Sequence, residues 1–306
     1  VKRTAGAVLA LAVLTGCASG PAPVESPPAA TTTATTTAPT ASIATAVPDG
    51  AFARLEEEFG ATLGVYALDT GTGREIAYRA DHRFAHASTI KALAVGALLR
   101  REPVEALDEV VTYSRADVVP HSPVTGERVD TGVTLREAAD AAVRLSDNTA
   151  ANLLFRALGG PEGLGAVLRG IGDTTTHVDR VETGLNEATP GDVRDTSTPR
   201  ALATGLRAFT LGDALPPDRR EFLVDLLRRN TTGDDLIRAG LPADWVVGDK
   251  TGSGGYGTRN DIAVAWPPGG AAPVVLAVMS TRGTPDAEHD DALIARAAAV
   301  VAGHLR

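Results

Sequence analysis

The sequence predicts an α+β fold: an antiparallel five-stranded sheet packed with N- and C-terminal helices, an all-helical lobe beside it, and a site in the cleft between them. Three observations carry this expectation. Strand-like runs gather at the two ends of the folded region, two early and three late. The early pair flanks a turn signal, Asp69-Thr70-Gly71-Thr72-Gly73, and no β-α-β alternation follows, which favours antiparallel pairing. The middle, residues 104–200, is patterned for helix and holds little strand.

In chain order, 52–58 reads as a helix, and 62–68 and 75–79 as the hairpin strands. Residues 88–100 form a strongly apolar helix, and 133–144 and 149–158 are the clearest helical patterns of the middle. Helices follow at 199–208 and 218–229, the first with Thr198 as N-cap and Pro199 at the first helical position. The late strands are 245–249, 261–266 and 274–280, and 287–304 closes the chain as an amphipathic helix. The sheet lobe then takes about 49–85 and 200–306, and the helical lobe about 86–199.

Composition narrows the function. Among 306 residues, 29 Lys+Arg stand against 38 Asp+Glu, a net charge of −9 that argues against a nucleic-acid partner and a polybasic membrane contact. A 43 % hydrophobic content supports a globular core. One cysteine excludes an internal disulfide and a cysteine-based zinc site, and among six histidines only His82 and His86 share a helical spacing. No metal or cofactor is expected, and the folded part is expected to be a monomer. Only three lysines occur, Lys2, Lys91 and Lys250, in a chain that otherwise uses arginine. Lysine can lose its proton and act as a base where arginine cannot.

The N-terminus reads as an export signal over 1–16: Lys2 and Arg3, then an apolar stretch too short for a permanent anchor, ending Leu14-Thr15-Gly16-Cys17. Small residues before the cysteine resemble the lipobox of bacterial lipoproteins, which implies acylation of Cys17 and a place on the outer face of the cell membrane. Val1 is expected to reflect an alternative start codon. In 19–48, Ala, Thr, Pro and Ser fill 25 of 30 positions, so 17–48 is expected to be a lipidated cysteine and a flexible stalk, suited to O-glycosylation. The catalytic domain is then 49–306.

Three motifs carry chemistry. Ser88-Thr89-Ile90-Lys91 opens the apolar helix, with the lysine one turn from the serine and backbone N–H groups directed at the same spot. Ser88 is there either a helix cap or a nucleophile, with Lys91 as neutral base or charged aid. Lys91 lies in the apolar run Ile90-Lys91-Ala92-Leu93-Ala94-Val95, where a solvated charge is awkward. Ser146-Asp147-Asn148 joins two helices and reads either as a cap or as a proton-relaying hydroxyl with an amide-binding Asn148. Lys250-Thr251-Gly252 ends the 245–249 strand and leads into Ser253-Gly254-Gly255, a solvated strand end or an anion-holding group beside glycines that admit a ligand.

These motifs in this order resemble the penicillin-recognising serine enzymes. The stretch 179–199 also resembles the omega loop of class A β-lactamases, with an E-x-x-L-N core at Glu182 to Asn186, and the likeness runs from about residue 50 to the C-terminus. The resemblance implies the two-lobed serine β-lactamase/transpeptidase-like fold and a β-lactam substrate. It implies Ser88 as nucleophile, and Glu182 with Asn186, four apart on one turn, holding the water that frees the acyl-enzyme. It leaves Lys91 and Glu182 both open as acylation base. Ser146 would relay a proton to the lactam nitrogen and Asn148 bind the side-chain amide. Backbone N–H groups of Ser88 and Ser253 would form the oxyanion hole. Lys250, Thr251, Ser253 and Arg259 would hold the substrate carboxylate, and Arg180 and Asp195 would close the loop's neck as an ion pair. His121 stands at the cleft rim where many relatives carry an aromatic, and Ala87 replaces the cysteine that some carbapenem-hydrolysing members bond. A D,D-peptidase sharing the three motifs but not Glu182, and a catalytically silent lipoprotein, are the competing readings.

Overall fold

The computed structural model describes residues 49–305 together with Ala12, Gly16 and Gly20. Apart from Ala12 and Gly16, the expected export signal lies outside the described residues, as do Cys17 and, apart from Gly20, the stalk.

The chain runs α1 (Asp49–Phe59), β1 (Thr62–Asp69), β2 (Glu75–Tyr78), β3 (Phe84–Ala85) and α2 (Ile90–Arg101). It continues through β4 (Val110–Val111), β5 (Val133–Thr134), α3 (Leu135–Arg144), α4 (Asn148–Leu158), α5 (Gly160–Gly170), β6 (Thr196–Ser197), α6 (Pro199–Thr210), α7 (Pro217–Arg228) and α8 (Ile237–Gly240). The last elements are β7 (Val246–Gly254), β8 (Thr258–Trp266), β9 (Val274–Thr281) and α9 (Asp291–Leu305). Five strands make one antiparallel sheet in the order β2-β1-β9-β8-β7, so the early hairpin docks onto the last strand.

Both faces of the sheet are covered, and side-chain alternation divides them. Leu63, Val65, Ala67, Ala263, Ala265, Leu276 and Val278 point into a core closed by Phe52 and Leu55 of α1 and by Leu293, Ile294 and Val301 of α9. Tyr66, Ile262, Val264, Val275, Ala277 and Met279 point the other way, into the larger core of α2, α4 and α6. Burial on both sides explains why these strands read as nearly unbroken apolar runs. Every residue of α2 from Ile90 to Leu99 is buried, which makes it the central helix of the helical lobe.

The structure corrects several boundaries. The 245–249 strand does not end before Lys250: β7 continues through Gly254 and β8 starts at Thr258, so Lys250, Thr251, Gly252, Ser253 and Arg259 all lie on paired strands. The turn falls at Tyr256 (φ 57°) and Gly257 (φ 66°). Val133 and Thr134 pair with Val111 and Val110 instead of opening a helix, and Thr134 then caps α3 by accepting from Glu137 N. The closing helix begins at Asp291, not 287. Helix α5 was not anticipated; its four glycines, 160, 163, 165 and 170, hide a helix that Leu164, Val167 and Leu168 anchor in the core. Thr198 and Pro199 take the expected cap and first-turn places. No described helix is long and apolar enough to cross a membrane.

Helix α2 meets α6 through Gly96, where an added Cβ would stand 2.6 Å from the Phe209 ring. Gly96→Ala is therefore expected to destabilise the fold by about 2 kcal/mol through overpacking. Urea unfolding checks this, and Phe209→Leu in the same chain should recover part of the loss.

Candidate active site

Ser88 sits in a 3-10 turn, Ala87–Thr89, that leads straight into α2, and no side chain caps that end. Its hydroxyl donates to Glu182 Oε1 at 3.2 Å, so it is not spent on the helix terminus. Ala87 before it has φ 46°, a left-handed conformation costing a non-glycine residue about 1–2 kcal/mol. Strand β7 presses against this turn. A Cβ on Gly252 would stand 3.1 Å from the backbone nitrogens of Ser88 and Thr89, an approach that a glycine permits.

Lys91, one turn along α2, is wholly buried. Its Nζ donates to Ser146 O (2.8 Å), Asn148 Oδ1 (2.6 Å) and, more weakly, Ser146 Oγ (3.3 Å), and pairs with Glu182 Oε1 at 3.0 Å. Burial pulls its pKa down and the Glu182 charge pushes it back up. The geometry decides the state. A carbonyl, an amide oxygen and a carboxylate surround Nζ within 3.0 Å, with the Ser146 hydroxyl a fourth, longer acceptor, and serving them takes the three protons of an ammonium.

Ser146 joins α3 to α4 in a left-handed conformation, φ 57°. Its hydroxyl receives Lys91 Nζ and also Lys250 Nζ at 3.2 Å. Neither ammonium can accept a hydrogen bond, so the hydroxyl's own proton points away from both. Lys250 is wholly buried in mid-strand and also donates to Thr251 O at 2.8 Å. Burial, and next the charge of Lys91, lower its pKa to about 7.

Glu182 belongs to the 179–199 segment. Asn152 of α4 clamps its backbone, accepting from Glu182 N (2.8 Å) and donating to Glu182 O (2.9 Å). Asn186 Nδ2 donates to Glu182 Oε2 at 2.5 Å, while Asn186 Oδ1 is buried and meets no protein donor. The two residues are not on one α-helical turn as their spacing suggested: only Gly184–Asn186 is helical, as a 3-10 turn. The neck of the segment closes where Arg180 Nε meets Asp195 Oδ2 at 2.5 Å. Buried Asp195 also accepts from the backbone of Asp179 and Arg180, and Arg180 reaches Glu187 as well.

Ser88, Ser146, Asn148, Asn186, Thr251, Ser253, Arg259 and His121 converge on one cleft of about 270 Å³. Two of them arrive differently from expectation. Arg259 is not a free guanidinium: its Nε and Nη2 bind Asp291, the first residue of α9, at 2.6 and 3.1 Å. Asn148 spends Oδ1 on Lys91 and Nδ2 on Pro120 O (2.9 Å), so a ligand amide meets a side chain already engaged. His121, φ 59°, places Nε2 3.1 Å from Leu145 O.

The sequence reading missed four residues. Asn152 lies four residues after Asn148 on α4, and that spacing was the available signal. Asp147 is more than a cap. Besides Ala150 N, it accepts from Val124 N, Thr125 N and the Thr125 hydroxyl, tying the His121 loop to α4. Thr232 and Asp291 carry no local signal at all. Among the described residues, no three His, Cys, Asp or Glu side chains group to hold a metal, and both nitrogens of His86 face carbonyls, of Ala87 and His177.

Residues 49–305 match the model of the β-lactamase enzyme family. A β-lactamase of Amycolatopsis lactamdurans is 60 % identical over 249 residues, 81 % of this chain and 82 % of that protein. The crystal structure of a halotolerant bacterial β-lactamase superposes with a TM-score of 0.82 at 57 % identity, covering 83 % of this chain and 98 % of that one. That of a class A β-lactamase from Clostridium kluyveri DSM 555 gives 0.81 at 49 % identity, covering 83 % and 96 %.

Proposed function

The chain belongs to the β-lactamase enzyme family and is a class A β-lactamase that hydrolyses the β-lactam amide and confers resistance, and we propose that it does so through an acyl-enzyme on Ser88 whose formation and breakdown both use Glu182 as base. The observation that carries this mechanism is the direct contact of Ser88 Oγ with Glu182 Oε1 at 3.2 Å. Lys91, as an ammonium, has no lone pair for that proton. Glu182 has one.

In the proposed first half, Ser88 attacks the lactam carbonyl and its proton passes to Glu182. Backbone N–H groups of Ser88 and Ser253 stabilise the oxyanion, each worth about 3 kcal/mol. The C–N bond breaks as Ser146 hands its proton to the leaving nitrogen. Lys91 reprotonates Ser146, at 3.3 Å, and Glu182 reprotonates Lys91, at 3.0 Å, so the circuit closes with Glu182 again a carboxylate. In the second half a water gives one proton to Glu182 and points the other at Asn186 Oδ1, which meets no protein donor. The water attacks the ester, and as the acyl C–O bond breaks Glu182 passes that proton to Ser88 Oγ, 3.2 Å away, which regenerates both the hydroxyl and the carboxylate. Lys250, Thr251 and Ser253 hold the substrate carboxylate, with Arg259 contributing the donors that Asp291 leaves over.

We further propose that the chain is exported, is tethered through an acylated Cys17 by the 17–48 stalk, and acts as a monomer. The basic start, the short apolar run and the Leu14-Thr15-Gly16-Cys17 sequence support export and anchoring.

Glu182→Ala removes the base and also the charge that holds up the pKa of buried Lys91, leaving an amine able to take the Ser88 proton. Acylation is therefore expected to slow but persist, while deacylation falls by about 10³-fold and a penicilloyl adduct stays on the intact protein, read by mass spectrometry; normal turnover would remove Glu182 as base. Because Lys250 loses its charge as pH rises through about 7 in the free enzyme, kcat/KM should fall above that pH. Lys250→Arg keeps its charge and should move this limb upward; a limb that stays in place would assign it to another group. Cys17→Ala should shift the protein from the membrane fraction to the medium, as shown by immunoblotting.

A further inference from the structure

A line of hydrogen bonds leaves the cleft behind Thr251, and its direction can be read atom by atom. The Thr251 and Thr232 hydroxyls stand 2.7 Å apart, with either able to donate by distance alone. Thr232 N and Thr232 Oγ1 both reach Asn230 Oδ1, at 3.1 and 2.9 Å. Asn230 Nδ2 reaches Asp249 Oδ2 at 2.5 Å, and Asp249 Oδ1 receives Arg238 Nε at 2.5 Å.

Two groups fix the polarity. A backbone N–H can only donate, so the Asn230 atom facing Thr232 is its oxygen and the amide cannot be turned round. The other end agrees. Asp249 is the ionised member of a buried carboxyl pair, since it holds Arg238 and the Asn230 amide. Asp261 has one backbone donor on Oδ2 and an unmet Oδ1, and burial followed by the Asp249 charge drives its pKa well up. With an acceptor at Asn230 Oδ1, the single Thr232 proton must lie there. The bond between the hydroxyls then has one sense: Thr251 donates and Thr232 accepts.

Thr251 therefore shows the cleft its lone pairs, not its proton. A carboxylate can only accept, so it gains nothing from this hydroxyl until the proton swings off Thr232. We propose that Thr232 is a positioning residue that weakens the carboxylate subsite by holding the Thr251 proton out of the cleft. This rests on the reading that Thr251 contacts the substrate carboxylate. Thr232 itself lines the same cleft and offers only an acceptor there, which suits a ligand N–H or O–H in place of an anion.

Single-turnover acylation of the full-length enzyme by nitrocefin separates the substrate dissociation constant from the acylation rate constant. Thr232→Val and Thr232→Ala remove the acceptor and should tighten the dissociation constant about three- to tenfold, the range of one net hydrogen bond, with the rate constant unchanged. Thr232→Ser keeps the acceptor and should match the native enzyme. Thr251→Val should weaken binding. If Thr251→Val weakens binding while the Thr232 variants leave it unchanged or weaken it, the inference is overturned and the carboxylate reading survives. If Thr251→Val changes nothing, both fall.

Discussion

Lys91 and Glu182 face each other at 3.0 Å with neither side chain exposed to solvent. Two charges taken out of water hold only if every remaining proton and lone pair finds a partner. Here that demand gathers distant parts of the chain. α2 brings the lysine, the loop before α4 brings Ser146 O, α4 itself brings Asn148, and the 179–199 segment brings the carboxylate. Removing one member of such a pair typically costs about 3–5 kcal/mol. The same knot sets the chemistry. It leaves one Glu182 lone pair toward Ser88, turns the Ser146 proton outward, and depresses Lys250 beside it.

The architecture holds this knot from both sides. The sheet supplies β7, which runs against the Ser88 turn closely enough that a Cβ on Gly252 would stand 3.1 Å from the Ser88 and Thr89 nitrogens. The helical lobe supplies α2, buried on every side, so Lys91 projects from an element that cannot roll. The 179–199 segment has no long helix of its own and is held instead by point contacts: Asp195 at its neck, and Asn152 on the Glu182 backbone. Non-glycine residues in left-handed conformations at Ala87, His121, Ser146 and Asp195 mark where these contacts override local preference.

Much of this was legible in the residues. Strand-like runs at the two ends and the early turn signal placed the sheet, and the motifs with the resemblance they carry pointed to Ser88, Ser146, Asn148, Asn186, Thr251, Ser253, Arg259 and His121, which do share one cleft. The failures have physical causes. Glycines 252 and 254 read as a strand end, yet each is there because another backbone passes close by: that of Ser88, and Asn186 O at 2.6 Å from where the second Cβ would be. Glycine also hid α5, whose stability comes from packing more than propensity. Arg259 looked free because its partner, Asp291, lies 32 residues away. Thr232 and Asp291 act on residues 19 and 32 positions away in the chain, which no local pattern encodes.

Neutron diffraction from a deuterium-exchanged crystal of the ligand-free enzyme at neutral pH locates the protons of the central knot directly. It should show three deuterons on Lys91 Nζ, none on Glu182, and the Ser88 deuteron directed at Glu182 Oε1. Two deuterons on Nζ with one on the Glu182 carboxyl would mean that the amine, not the carboxylate, is poised to take the serine proton, and would contradict the mechanism.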